Sequence, residues 1–340
     1  MKKYLILLLK LILSAALLTF LFYKVDLSTL SLVVRQSEWP ILFLCIILYA
    51  LGQILSTYKW SLLIHSHGIK HPFGNMVSYY YVGMFFNLFM PSIVGGDIQR
   101  CYAVYRDEKR QFAKNPPRGR LSQIISSVLM ERLSGLIAMI WLAVIAFFFF
   151  PMNNVSHETV NGMFLRHYLP IILIVLALGT VLVFLVLMLW RSSEHQMDTP
   201  KTIHEKVIQM INNLAIQSKS YLQSFDLLIK VMVIAFLFQT LFIVLNIFVG
   251  YSLHLPVPIG YYFVMVPLVT LCTAIPISLS GLGVREGAYA YFLHFMGVDT
   301  THAILLSFSI VIVVAVNALV GGLILFKKGF QIEKDVPREI

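Results

Sequence analysis

Six charged side chains stand inside stretches of this sequence that are otherwise apolar: Asp97, Arg100, Glu131, Arg132, Arg285 and Glu286. In hydrocarbon each would cost roughly 2.5 to 3.5 kcal/mol at the bilayer centre on insertion scales, so they must pair with one another or meet water. Asp97 and Arg100 are three residues apart and share a helical face. The adjacent pairs Glu131-Arg132 and Arg285-Glu286 point in different directions and are expected to bridge separate elements, with Asp97 and Glu131 as the acids open to Arg285. Arginine grips phosphate through a planar, bidentate fork, so this set suits an anionic headgroup. An architectural reading stands beside it: Asp97 caps a helix, Glu286 sits in the first turn of another, and the arginines neutralise buried acids.

The elements that position these charges are broken ones. Pro91, Gly95 and Gly96 interrupt the apolar run that begins at Met76, just before Asp97; Pro276, Gly281 and Gly283 do the same before Arg285. Proline removes an amide donor and glycine frees the backbone, which lipid tolerates only where the exposed polar groups are buried in protein or line a cavity. Each break also starts a helix whose N-terminal amides could face an anion.

The rest of the chain is a membrane composition. Of 340 residues, 59% are hydrophobic and 12% charged, and several apolar runs reach spanning length. The net charge of +10 sits mostly in short loops between apolar runs, which argues for membrane topology and against nucleic acid. Cys45, Cys101 and Cys272 fall in or beside apolar runs, so neither a disulfide framework nor a metal cluster is expected. His65, His67 and His71 lie in an interfacial loop lacking acids and cysteines, which is weak grounds for a metal site. The opening run exceeds a signal-peptide core and has no small-residue cleavage site, so it reads as a retained span.

Spans are expected at 5–23, 40–58, 122–150, 168–190, 230–253 and 303–326, with Trp39 and Trp60 as interfacial anchors. Segment 191–229 reads as a cytoplasmic amphipathic helix. Lys24, Arg35 and Arg166 fall on one side. The remaining loop bases, from Lys59 and Lys70 through the 106–120 cluster to Lys327 and Lys328, share the other, which the positive-inside rule makes cytoplasmic. Both ends of 76–105 are then cytoplasmic, so this stretch is expected to be a re-entrant hairpin; 261–296 is expected to enter from outside. The fold expectation is an all-α polytopic membrane protein with six spanning helices and two oppositely oriented re-entrant hairpins, arranged as an inverted repeat. It forms a single integral membrane domain over 1–340 with halves 1–150 and 168–326.

No nucleotide-binding loop, Gly-x-Ser-x-Gly elbow, His-Glu-x-x-His or metal-binding aspartate cluster occurs, so no enzyme activity and no cofactor is expected. A membrane hydrolase built on Glu131 or Asp97 is the enzyme reading left open.

Three motifs in order, Pro91-Ser92-x-Val94-Gly95-Gly96-Asp97-x-x-Arg100, Glu131-Arg132-x-x-Gly135 and Ser280-Gly281-Leu282-Gly283-Val284-Arg285-Glu286-Gly287, resemble the flippase-like membrane domain of bacterial lysylphosphatidylglycerol synthases. The resemblance covers most of the chain. It implies a multi-pass protein of the bacterial cytoplasmic membrane, with cytoplasmic termini, that moves phospholipids or lipid-linked groups between leaflets. The polar motif residues would line the path. With 14 residues after Phe326, the aminoacyl-transferase domain of the full synthases is not expected, and lysine transfer is not carried over. The leading expectation is transbilayer movement of an anionic phospholipid or lipid-linked intermediate. The alternative is a non-transporting accessory subunit for a lipid-modifying or glycosyl-transferring enzyme. The partners implied are membrane phospholipid and either a second copy of the chain or such an enzyme.

Overall fold

Apolar runs too long to be satisfied by anything but their own backbone hydrogen bonds dictate helices, and the chain is all-α, with no strand, over the residues described. The computed structural model describes residues 19, 35, 37–89, 95–112, 117, 119–149, 160–189, 216, 217, 219–221, 224–274, 278 and 281–328. The expected first span, the breaks at Pro91 and Pro276 and most of the amphipathic segment lie outside them.

In chain order the helices are α1 (Trp39–His65), α2 (Phe73–Phe89), α3 (Gly95–Gln111), α4 (Arg120–Phe149), α5 (Val160–Leu189), α6 (Phe225–Ser252), α7 (Ile259–Ala274), α8 (Val284–His294) and α9 (Thr300–Lys328). Helices α1, α4, α6 and α9 are each long and apolar enough to cross a membrane. Their outward faces carry Phe43, Leu51, Leu237, Ile312, Leu319 and Leu323, all exposed. Such side chains are costly in water and at home in lipid.

Helices α2 and α3 form an antiparallel hairpin, since Gly83 meets Gly96, Tyr79 meets Asp107 and His71 meets Glu108. Glycine is required at the crossing. A Cβ on Gly83 would lie 2.8 Å from the Gly96 carbonyl oxygen, and one on Gly96 would collide with the Gly83 carbonyl. Helix α9 approaches α2 as closely, with Gly321 against the Tyr81 carbonyl. Helices α7 and α8 pack on each other as a second hairpin, and Tyr261 donates to the Phe292 carbonyl across it at 2.7 Å. The helix pairs in contact follow a pattern. Alongside the two hairpins, α2 lies on α9 as α7 lies on α4, α3 on α4 as α8 on α9, α4 on α6 as α9 on α1, α1 on α4 as α6 on α9, and α1 on α2 as α6 on α7. Exchanging α1–α4 for α6–α9 leaves these pairings unchanged, and the α1–α6 contact maps onto itself.

Three expectations need correction. The helix expected at 40–58 continues to His65, and Lys59 and Trp60 are buried among partners from α3 and α4 instead of exposed as a loop base and a lipid-facing anchor. Trp39, by contrast, is exposed. The helix expected at 168 begins at Val160, so part of the stretch taken for a loop is helical.

Candidate functional site

Four of the six intramembrane charges converge where α3 crosses α4, and α1 adds a fifth. Arg100 donates through Nη2 to Glu131 Oε2 at 2.7 Å and lies 3.0 Å from Asp97 Oδ1. Asp97 also accepts the fork of Arg132, Nε to Oδ2 at 3.0 Å and Nη2 to Oδ1 at 2.8 Å. Lys59 donates to the Glu131 backbone carbonyl at 3.0 Å and stands 3.5 Å from Oε1 of the same residue. The result is one continuous chain of ion pairs, Lys59–Glu131–Arg100–Asp97–Arg132. As the sequence implied, Asp97 and Arg100 share a face, and Glu131 and Arg132 bridge separate elements.

Neutral groups complete the setting. Ser56 donates to Glu131 Oε1 at 3.0 Å and lies 2.9 Å from the Tyr80 hydroxyl. The Arg100 guanidinium sits 5.0 Å from the Trp60 ring and 4.9 Å from the Tyr80 ring. Its Nε and Nη1 have no hydrogen-bond partner among the described residues, and the two π-faces stabilise the charge instead. Trp60 is fixed by its own indole N–H, which donates to Ser127 at 3.0 Å. Gly135 leaves room beside Glu131: its carbonyl accepts from Gln239 of α6 at 3.0 Å, and a Cβ there would stand 3.3 Å from that amide and 3.8 Å from Lys59 Nζ.

Burial is unequal along the chain of charges. Lys59, Arg100 and Glu131 are buried, whereas the Arg132 side chain is 48% exposed. Arg132 opens next to apolar surface, with Leu129 one turn before it and Ile98 beside Asp97, both exposed. Among the described residues the network holds three bases against two acids.

The second motif is built differently. Gly281 and Gly283 have φ of 78° and 83°, left-handed values that other residues rarely adopt. Glu286 folds back to accept the Gly283 amide at 2.6 Å, the acid half of a capping box. Arg285 does not reach Asp97 or Glu131. It donates to Glu286 Oε1 at 2.8 Å and to Ser307 of α9 at 3.2 Å, and Ser307 in turn donates to Glu286 at 3.0 Å. Arg285 and Glu286 do both reach a separate element through Ser307 of α9, but the expected pairing of Arg285 with Asp97 or Glu131 is wrong: the two neutralise each other, because the capping position aims the carboxylate back along its own first turn. The helix N-terminus expected to greet an anion is occupied by Glu286. At the first hairpin, Asn87 takes the Gly96 amide at 2.7 Å. Nearby, Tyr289 donates to Asn246 of α6 at 2.6 Å.

A third cluster lies at the open end of the first hairpin. Arg120 donates to Glu108 at 2.7 Å and to the His67 carbonyl at 3.0 Å, and His71 stands 3.5 Å from Glu108. Tyr79 donates to Asp107. The His67 ring packs edge-on to Tyr221, with centroids 4.6 Å apart. Burial, with the Arg120 charge close by, holds His67 below the ordinary histidine range, and burial pushes the Tyr221 phenol up.

Sequence reasoning missed Lys59, Ser56, Trp60, Tyr80, Gln239 and Ser307. A signal existed for the α1 group: Gln53, Ser56, Thr57 and Trp60 recur at helical spacing within an apolar run and are all buried.

With this geometry in place, the family follows from comparison. The family model for the lysylphosphatidylglycerol synthase TM region matches residues 7–323. The chain belongs to that family. No curated protein and no solved structure matched. Membership and the long apolar helices together make the chain a multi-pass membrane protein. The three family-like motifs map onto the first hairpin crossing, the α4 ion-pair centre and the capped start of α8.

Proposed function

We propose that this protein moves an anionic phospholipid or lipid-linked phosphate between leaflets of the bacterial cytoplasmic membrane, with the phosphate drawn to Arg132. One observation carries the reading: a buried network of three bases and two acids reaches the surface through a half-exposed arginine flanked by exposed apolar side chains. Phosphate suits the Arg132 guanidinium, of which Asp97 takes Nε and Nη2 but not Nη1, and acyl chains suit Leu129 and Ile98. The interchange of helix contacts between α1–α4 and α6–α9 supports an inverted repeat with two oppositely directed re-entrant hairpins, an arrangement suited to alternating access. The termini and the α2–α3 opening would then be cytoplasmic. We read the chain as a transporter and not an enzyme, since Asp97 and Glu131 are each held by two bases, which leaves neither as a free general base.

Vesicles of phosphatidylcholine and phosphatidylglycerol test the reading, with tail-labelled phosphatidylglycerol in both leaflets and an outside quencher. Wild type is expected to make the inner-leaflet label quenchable. Arg132→Ala should slow this at least tenfold while the fold holds, because Asp97 keeps Arg100. No movement by wild type, together with a stoichiometric enzyme partner on purification, would overturn the transport reading in favour of an accessory subunit.

A further inference from the structure

Lys59 has no role in the phosphate contact just described, yet it is buried and belongs to the same chain of charges. Three bases and two acids cannot all be ionised there without an excess charge. Arg100 and Arg132 cannot shed it, since guanidinium does not lose its proton in proteins. Glu131 and Asp97 could only add to the excess by taking protons. Lysine is the one base in the set that deprotonates readily when buried. The charges acting on Lys59 come from Glu131 and Arg132 of α4 and Arg100 of α3, with Asp97 of α3 behind Arg100. On the α2 side, Tyr80 reaches the cluster through Ser56; on the α6 side, Gln239 approaches beside Gly135 and does not titrate.

We propose that Lys59 is the proton-binding partner of the phosphate site, so that one proton is taken up when a phosphodiester anion binds and given up when it leaves. This rests on the phosphate reading above and names its coupling ion. In the empty site Lys59 is the neutral amine, its N–H still donating to the Glu131 carbonyl, and two arginines balance two carboxylates. With the anion at Arg132 the balance is restored only if Lys59 is ammonium. The bond made is N–H on Lys59 Nζ, the proton comes from solvent, and no electrons change hands. Anion and proton together are neutral, so a proton gradient, and not the membrane voltage, would drive net movement.

Proton counting tests this directly. The protein in phosphatidylcholine nanodiscs is titrated calorimetrically with dihexanoyl-phosphatidylglycerol in two buffers of different ionisation enthalpy. A phosphodiester has no proton of its own to exchange near neutral pH. Wild type is expected to take up close to one proton per bound lipid, with affinity weakening up to about tenfold per pH unit as pH rises. Lys59→Arg, permanently charged, should bind with no proton uptake and no such pH dependence. If that variant does not fold, Lys59→Met should bind more weakly, again without uptake. Binding by wild type with no proton uptake, or uptake undiminished in either variant, would overturn the role of Lys59 and leave the phosphate site standing. Absence of any binding would overturn both.

Discussion

At Glu131 a buried guanidinium and a buried amine converge on one carboxylate, and its removal strands the Arg100 charge. Glu131→Gln preserves shape and the Ser56 contact but leaves Arg100 with Asp97 as its sole acid. Breaking a buried pair from one side costs about 3 to 5 kcal/mol, because the orphaned partner stays buried. Thermal unfolding in detergent should register that loss, and Glu131→Gln combined with Arg100→Met should recover much of it, since Asp97 keeps Arg132. A single variant as stable as wild type would mean that water already satisfies the Arg100 charge. Asp97, Arg100, Glu131 and Arg132 were legible because charges in apolar runs stand out, and their spacing fixed which face each would use. Lys59 was not. At the end of an apolar run and next to a tryptophan it has the look of an interfacial residue, and only a partner 72 positions away reveals otherwise. Arg285 was misread for the converse reason, since the capping geometry that turns Glu286 back on it is a property of the φ > 0 glycines.

The first hairpin owes its closure to two glycines on facing helices. A methyl at Gly96 has no room against the Gly83 carbonyl, so α2 and α3 must separate and carry Asp97 and Arg100 away from α4. Gly96→Ala is expected to lower stability by about 1 to 3 kcal/mol. Gly179→Ala on α5, with nothing within 4 Å, should be neutral. Equal melting temperatures for the two variants would contradict the close crossing. The open end of the same hairpin carries a pH dependence. His67 is held neutral by burial and by Arg120, so its folded pKa lies below the unfolded value near 6.5. The unfolded chain therefore binds the extra proton first. The stability contributed by neutral His67 is complete above about pH 6.5 and declines as pH falls toward the folded pKa. His67→Phe, which keeps an aromatic edge for Tyr221, should show a shallower fall in melting temperature from pH 7 to 5 than wild type. A slope identical to wild type would assign the titration elsewhere. Helix existence was legible from apolar length, but helix ends were not. The partners that bury Lys59 and Trp60 lie on α3 and α4, which no local pattern encodes.

For the whole molecule, the interchange of helix contacts between the two halves makes a demand on topology. The order of the described helices was legible in the sequence. The pairing of α2 with α9 and of α7 with α4, which interlocks the halves, was not: Gly321 and Gly322, which admit α2 against α9, read as ordinary small residues in an apolar run. If the halves are inverted, the open end of the α2–α3 hairpin and that of the α7–α8 hairpin face opposite sides of the membrane. Single cysteines at Lys70 and Arg110 mark the first, and Ile259 and His294 mark the second, in a background lacking Cys45, Cys101 and Cys272. A membrane-impermeant maleimide applied to intact cells should label the second pair. The first pair should react only after the membrane is permeabilised. A re-entrant hairpin adds a further condition that two full crossings would not meet: Leu88→Cys, near the end of α2, must stay unlabelled from the outside. Labelling of both pairs from one side would remove the inverted repeat. Outside labelling at Leu88 alone would keep the repeat and replace the first hairpin with two crossings, placing the Asp97–Arg132 pair within a full transmembrane bundle.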